Sequence, residues 1–475
     1  MTRHETRPVP GPAMSAARGR PGSAPGGPGD PGTGPGGAGS PGDGADHGST
    51  EPGPGPTEPG KPGTGPGGAA GAAGAAGAGG PGSPGDPLGA GGGAGPAGPG
   101  RRVARVLRLW YGRLLCALAA LWLLYAVVRW QVSGRWHWAI LLDAAPPLLL
   151  LAVPALLLAA SAAACGRRRP WAAGISATAL VLALLTGSGI NWPALWRDEP
   201  TVPPGALRIV SLNTQYWAAD TGVDRLYELL HRQEADVYLL QEHVLWQPGL
   251  GEEGYRRIDD DARLREEFPG YHIARRGELL TISRFPVVAK PPVGPGKELD
   301  REKSPAFKRI FERDKVMRTD LQVGDRVLSV YNVHVTVQLA PDNLDPFADF
   351  DFDAYFQRKF DWRQEEVAGL ERDLRDNPHP VVIAGDFNST AAMRDLDGVR
   401  SLARDALEAN TDLLPLSWKF PAPVGFEWDS VFNRPLPFWR VDWAFTAGDV
   451  TAHRYELRPT DGISEHRLQD LWITL

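Results

Sequence analysis

The stretch VVIAGDFNST, Val381 to Thr390, decides how the chain is read. Four apolar residues run into Gly385, and Asp386 and Asn388 then stand two apart with only Phe387 between them. A short β-branched run bounded by a turn signal reads as a buried strand. Side chains alternate along an extended chain, so Asp386 and Asn388 are expected on one face and Phe387 on the other. Two readings compete for the pair. Asp, Asn, Ser and Thr all cap turns, so the segment can be a strand end followed by an Asx-type turn. Alternatively, an ionised Asp that takes a proton from water is set beside a neutral amide that donates to a phosphoryl oxygen.

Composition divides the 475 residues. Residues 1–100 are mostly Gly, Pro, Ala, Ser and Asp, as in GPGDPGTGPGGAGSPGDG, and cannot bury enough apolar surface to offset ordering entropy. This segment is expected to be a disordered tail. Glycine recurs every third residue only locally (GAAGAAGA), short of a collagen period. Cys116 and Cys165 are the only cysteines, so residues 206–475 hold neither a disulfide nor a thiolate zinc site.

Residues 101–195 read as a membrane region. Three nearly charge-free runs, about 114–132, 144–165 and 171–190, each approach the roughly 20 residues a bilayer needs. Trp130, Trp136, Trp138, Trp171 and Trp192 flank them as headgroup-level residues would. The competing reading is a buried helical hairpin of a soluble protein. Arg101, Arg102, Arg105, Arg108 and Arg113 precede the first run, and Arg167 to Arg169 separate the second from the third. The positive-inside rule then puts the N-terminus in the cytoplasm, and three crossings deliver the last domain to the opposite side of the cell membrane.

Residues 206–475 form a domain of 34 Lys+Arg against 46 Asp+Glu, a net −12, which disfavours a grip on long nucleic acid. LRIVSLNT, DVYLLQEH, LLTISRFPVV, PVVIAGDFNS and FWRVDWAFTAG read as strands, and RTDLQVGDRVLSVYNVHVT as a hairpin about VGD. GVDRLYELLHRQEA and RQEEVAGLERDLRD read as amphipathic helices. Asn213, Glu242, His334, Asp386, Asn388, Asp442 and the Glu465–His466 pair all fall within or beside an apolar strand. One such residue is usually a satisfied turn or core group. So many buried charges without a common ligand would cost several kcal/mol each, and a shared cleft with a hard cation removes that difficulty.

In this order, LRIVSLNTQ, ADVYLLQEH, TISRFPVV, VYNVHVT, IAGDFNST, WRVDWAF and SEHRLQ resemble the endonuclease/exonuclease/phosphatase superfamily of DNase I-like nucleases, inositol polyphosphate phosphatases and sphingomyelinases. The resemblance implies a four-layer α/β sandwich, two packed mixed β-sheets with outer helices, following the three transmembrane helices and the tail. It implies Mg²⁺, with Mn²⁺ as a substitute, held mainly by Glu242 and supported by Asn213 and Glu465. It casts Asp386 as orienting or deprotonating the attacking water, Asn388 as holding a phosphoryl oxygen, and His334 as contacting the scissile phosphate. His466 matches the terminal histidine, with Asp442 fixing its tautomer. One departure stands out: the family usually ends in Ser-Asp-His, and here Ser464-Glu465-His466 adds a methylene. Glu278 and Asp320 are the two candidates for the acidic partner of His334.

The activity so implied is a membrane-anchored, Mg²⁺-dependent phosphoester hydrolase working outside the cytoplasm. Bacterial membrane-anchored members of the family point, by analogy, to a lipid (pyro)phosphate of the cell envelope. The alternatives are an extracytoplasmic nuclease, which the net charge disfavours, and an inactive envelope scaffold. The acidic, aromatic segment 338–362 reads as a surface loop, with the further idea that it shapes the substrate entrance or meets the membrane. No protein partner is inferred.

Overall fold

A computed structural model describes residues 99–164, 167–219, 221–247, 254–338, 351–419 and 439–475. The expected disordered tail lies outside the described residues except for Pro99 and Gly100, which open the first helix.

Four helices come first: α1 (Pro99–Val132), α2 (Ala139–Asp143), α3 (Pro147–Ser161) and α4 (Arg168–Leu185). Within α1, Val106–Val132 is the one stretch among the described residues long and apolar enough to cross a membrane. The expectation of three full-length spans is therefore not reproduced. Pro147 opens α3, which lasts only 15 residues, about 22 Å at 1.5 Å per residue, against a hydrocarbon core of about 30 Å. Helix α4 gives way to Gly187 and Gly189, both at positive φ. The helices pack through small residues, with Ala119, Ala172, Ser176, Ala179 and Ala183 buried, while Leu121, Leu156, Trp171 and Leu185 point outward at 64–79% exposure.

Fourteen strands follow among the described residues: β1 (Leu207–Asn213), β2 (Val237–Gln241), β3 (Val244–Trp246), β4 (Tyr255–Arg257), β5 (His272–Arg276), β6 (Leu279–Ser283), β7 (Val287–Ala289), β8 (Val316–Val323), β9 (Arg326–His334), β10 (Val381–Asp386), β11 (Arg404–Asp405), β12 (Asp442–Ala447), β13 (Thr451–Arg458) and β14 (Leu468–Thr474). They form two six-stranded sheets, ordered β13-β14-β1-β2-β6-β5 and β11-β12-β10-β9-β8-β7, and a β3–β4 ribbon. Both large sheets mix parallel and antiparallel pairs. LLTISRFPVV, expected as one strand, breaks at Pro286 and serves both sheets, as β6 in one and β7 in the other.

The period of two assigns each residue to a layer. Ile209, Val237 and Leu239 meet Leu328, Val330, Val382 and Ala384 between the sheets. Val210, Leu212, Tyr238 and Leu240 face out onto the helices Val223–His231 and Asp261–Glu267. Tyr331, Val333, Val381 and Ile383 face out onto the helices Phe352–Asp376 and Asp397–Leu402. The domain is thus helix, sheet, sheet, helix, and its central strands are apolar on both faces because both are covered.

Part of the segment read as a surface loop, 339–350, lies outside the described residues. Its remainder is helical from Phe352, and it meets the N-terminal helical region: Phe356 packs edge-on to Trp138 at 5.0 Å and Asp353 accepts from Trp138 Nε1 at 2.7 Å.

Candidate active site

Register gathers the polar residues. Asp386 lies opposite His334 on one side and Asp442 on the other, so the three stand abreast on β9, β10 and β12. All belong to the inward-facing set, as does Asn213 at the end of β1 in the facing sheet. Gly385 makes the close approach: it has φ +153°, and a Cβ there would lie 1.9 Å from the Val333 carbonyl oxygen.

Around Asp386 Oδ2 the groups converge from separate strands. Asn213 Nδ2 donates to it at 3.1 Å and to Glu242 Oε1 at 3.0 Å, tying the two carboxylates together. His334 Nε2 stands 3.6 Å from the same oxygen and 3.9 Å from Glu242 Oε1, and His466 Nε2 stands 3.7 Å from it. Behind the histidines sit carboxylates, Asp442 3.0 Å from His466 Nδ1 and Glu278 3.1 Å from His334 Nδ1. Glu278 is also hydrogen-bonded by Lys315 Nζ. Asn213, Glu278, Asp386 and Asp442 are at most 2% exposed, and the two histidines at most 9%.

Non-glycine residues at positive φ crowd the same end of the sheets: Gln215 to Ala218 at 51–57°, Glu242 at 60° and Asn388 at 48°. Such conformations cost about 1–3 kcal/mol each and persist where surrounding contacts hold them. One reward is visible. The left-handed turn aims the Tyr216 amide at Glu242 Oε2, 2.9 Å away.

Residues 210–466, more than half of the chain, match the Endonuclease/Exonuclease/phosphatase family. The chain belongs to that family. Solved structures similar to it include an endonuclease/exonuclease/phosphatase family protein from Leptotrichia buccalis (14% identity over 57% of this chain and 100% of that one, TM-score 0.37). The mannosyl-6-phosphatase of Bacteroides thetaiotaomicron gives the same figures. A 3′ phosphatase from Neisseria, bound to a product DNA hairpin, matches at 16% identity over 57% and 100%, TM-score 0.37. No curated protein matches by sequence. Family membership makes the chain a metal-dependent phosphoesterase.

The donors fit such a metal. Two carboxylates, Glu242 and Asp386, are bridged by the Asn213 side-chain NH2, and donor atoms of Asp386, Asp442 and His466 lie within 4.8 Å of one another. Of these, Asp442 is already engaged by His466, and a hard cation prefers oxygen. Glu242 and Asp386 are thus the better oxygen donors.

Electrostatics follow from burial and pairing. For His466, burial favours the neutral ring, but the charges of Asp442 and Asp386 prevail and raise its pKa to about 10. His334 likewise loses hydration, yet Glu278 outweighs that and raises it. Burial pushes the Asp442 carboxyl up despite its histidine. Glu278, by contrast, is held down at about 2: burial opposes this, and His334 and Lys315 overcome it.

Several expectations change in detail. Asp386 and Asn388 do not share a strand face, because β10 ends at Asp386 and Asn388 sits in a left-handed turn, its amide donating to Asp386 Oδ1 at 2.8 Å. The stretch is thus a strand end followed by a turn, as the first of the two readings has it. The Asn388 side chain donates to the Val335 carbonyl at 2.9 Å. Asn213 Oδ1 accepts from the Gln215 amide at 3.0 Å, and its Nδ2 is the atom turned to the two carboxylates. Burial raises the pKa of Glu465 against the charge of His466, and its carboxylate is hydrogen-bonded by Gln215 and Trp418. Glu242 falls one residue past β2. Of the two candidate partners for His334, Glu278 occupies the position and Asp320 pairs with Arg318 at 2.8 Å. Lys315 and Ser417, whose hydroxyl accepts from the Val441 and Asp442 amides, went unnoticed because neither lies in a recognisable motif.

Proposed function

We propose that the protein is a membrane-anchored, Mg²⁺-dependent phosphoester hydrolase that acts outside the cytoplasm on a lipid-linked phosphate or pyrophosphate. The observation that carries the hydrolytic part is the convergence of Asn213, His334 and His466 on one oxygen of Asp386, beside Glu242. Glu242, with Asp386 next to it, would hold the cation, which when bound supplies Lewis-acid charge to a phosphoryl oxygen.

The chain's own groups then divide the work. Asn213 fixes the two carboxylates at a set separation. Asp386 orients water and takes its proton, while the protonated rings of His334 and His466 donate to phosphoryl oxygens as negative charge develops. Glu278 and Asp442 hold those rings in orientation and favour their charged forms. The Asn388 amide, which donates to the Val335 carbonyl, would hold a phosphoryl oxygen. The attack is in line, with water entering opposite the leaving oxygen.

The membrane part is supported by the inside-out packing of the helices, small residues within and leucines without, as helices in lipid pack. Arginine placement supports an N-terminus in the cytoplasm and three crossings, the shorter segments being accommodated by local thinning of the bilayer. Anchoring raises the local concentration of a lipid substrate. The net −12 of residues 206–475 disfavours polynucleotide.

The test is Mg²⁺-dependent phosphate release by wild type and Asp386→Asn on undecaprenyl pyrophosphate, phosphoinositides, sphingomyelin, RNA and plasmid DNA. Unchanged release in the variant rejects the mechanism, and cleavage of DNA alone rejects the substrate class. A reporter fused at the C-terminus should be active only outside the cytoplasm; activity inside overturns the topology.

A further inference from the structure

The loops that follow the catalytic strands, 335–338 after His334 and 387–395 after Asp386, are held by one buried pair on the helix Phe352–Asp376. Arg363 and Glu366 are 2% and 1% exposed and stand three residues apart, on one face of that helix. Arg363 Nη1 donates to the Thr336 carbonyl at 2.6 Å, and Nη2 donates to Ser389 Oγ at 2.6 Å and to Asp395 Oδ2. Glu366 accepts from the Thr336 amide at 2.9 Å and from its hydroxyl at 2.6 Å. Ser389 Oγ donates in turn to Asp395 at 2.8 Å. A planar guanidinium spreads five donors in a rigid fork, whereas a lysine offers its three from a single point charge.

Asp395 and its neighbours also form the contact with the N-terminal helices. A Cβ on Gly134, which has φ +68°, would come within 2.9 Å of the Asp395 amide nitrogen. One on Gly187 would come within 2.5 Å of Ala392 Cα. Gln338 donates to the His137 carbonyl at 2.8 Å. Arg363, Gln338 and Asp395 line a cavity of about 10 Å³ together with Asp143, which pairs with Arg129 at 3.0 Å and accepts from Ser133 at 2.9 Å.

We propose that Arg363, assisted by Glu366, is a positioning residue that locks both catalytic loops to each other and to the helical bundle. The bundle is then part of the active-site scaffold as well as an anchor. A buried arginine is a costly way to stabilise a helix, since apolar packing of the same volume is often as good. Its hydrogen bonds end on the two catalytic loops, which gives that cost a purpose. As a statement about catalysis, this rests on the hydrolytic reading above.

The experiment uses the full chain in lipid nanodiscs and compares wild type with Arg363→Gln, Arg363→Lys, Asp395→Asn and the milder Ser389→Ala. Hydrogen exchange is read over 334–338, 387–395 and 133–140. Arg363→Gln should speed exchange about tenfold or more in all three segments and leave 207–213 and 223–231 unchanged. Ser389→Ala should loosen 387–395 alone. Turnover of bis(p-nitrophenyl) phosphate and farnesyl pyrophosphate with Mg²⁺ should lose about 10²-fold in kcat, with KM within about twofold, and Arg363→Lys should recover part of it. Exchange that rises evenly over the domain, or stays confined to 352–376, overturns the proposal, as does an unchanged kcat in an active enzyme. Wild type that turns over neither these probes nor the substrate panel removes the hydrolytic reading, whereas the exchange pattern by itself decides the lock.

Discussion

Replacing Glu278 by Gln removes the negative charge between two cations and leaves the shape of the site intact. The carboxylate is 1% exposed, 3.1 Å from His334 Nδ1 and hydrogen-bonded by Lys315. Burial alone would raise its pKa, yet the two cations bring it from the ordinary 4.5 to about 2. At about 1.4 kcal/mol per tenfold in proton affinity, that drop corresponds to about 3 kcal/mol of folding stability. Because the folded value is the lower one, this stability is fully present above pH 4.5 and disappears as pH falls through about 2. His334 works in the opposite sense. Burial lowers its proton affinity, but Glu278 raises it above the ordinary 6.5, so its contribution is complete below pH 6.5 and is lost as pH rises through the folded value. Both contributions are therefore complete only between pH 4.5 and 6.5.

Melting followed by tryptophan emission checks this. At pH 6 the Glu278→Gln chain should melt about 6–12 °C below wild type, from about 3 kcal/mol and a domain of this size. At pH 3, where linkage leaves about 1.4 kcal/mol, the gap should shrink to less than half. A gap that is the same at both pH values, or under about 1 °C at pH 6, would refute the assignment of Glu278 as the buried charge partner of His334.

Three further outcomes are expected. Gly385→Ala must push β10 away from the Val333 carbonyl, so expression of folded chain should fall sharply and any folded fraction should lose hydrolysis, measured by melting and phosphate release. Chelation with EDTA should abolish hydrolysis and Mg²⁺ restore it, and added cation should raise the melting temperature of wild type more than that of Glu242→Gln. Glu465→Gln, which changes a carboxylate already bonded by Gln215 and Trp418, should alter kcat by less than about tenfold, against a loss of about 10³-fold or more for Asp386→Asn.

Strands were readable because the central ones are covered on both faces, and apolar β-branched runs such as 381–384 admit few other conformations. The residues at strand ends were readable as members of an ordered set of motifs. Side-chain direction just past those ends was not. Alternation holds only while the backbone stays extended, and Glu242 and Asn388 both adopt positive φ one or two residues after their strands stop. The partner of His334 could be narrowed to Glu278 or Asp320 but no further, since the choice depends on how β6 and β8 are placed relative to β9. Hydropathy likewise measured the apolar runs and missed where Pro147 and Gly187 cut them short.

The charges of the site explain why it suits a divalent cation and a phosphate together. Glu242, Glu278, Asp386 and Asp442 face Lys315, His334 and His466, four carboxylates against three cationic groups. Glu278 is held at about 2, His466 is raised to about 10 and His334 is raised, so the formal charges of the cluster, counted with both histidines protonated, sum to an excess of one negative charge. Glu242 and Asp386, the two carboxylates joined by Asn213, stand 3.6–3.9 Å from the histidine ring nitrogens and are the ones that would hold a cation. A divalent ion there reverses the sign of the cluster to net positive, the polarity that draws in and stabilises a phosphoryl anion. Removing one histidine charge should therefore strengthen cation binding while weakening phosphate binding. Opposite shifts in the two dissociation constants of His466→Gln, read by calorimetry with Mg²⁺ and with inorganic phosphate, check the argument, and shifts of the same sign defeat it.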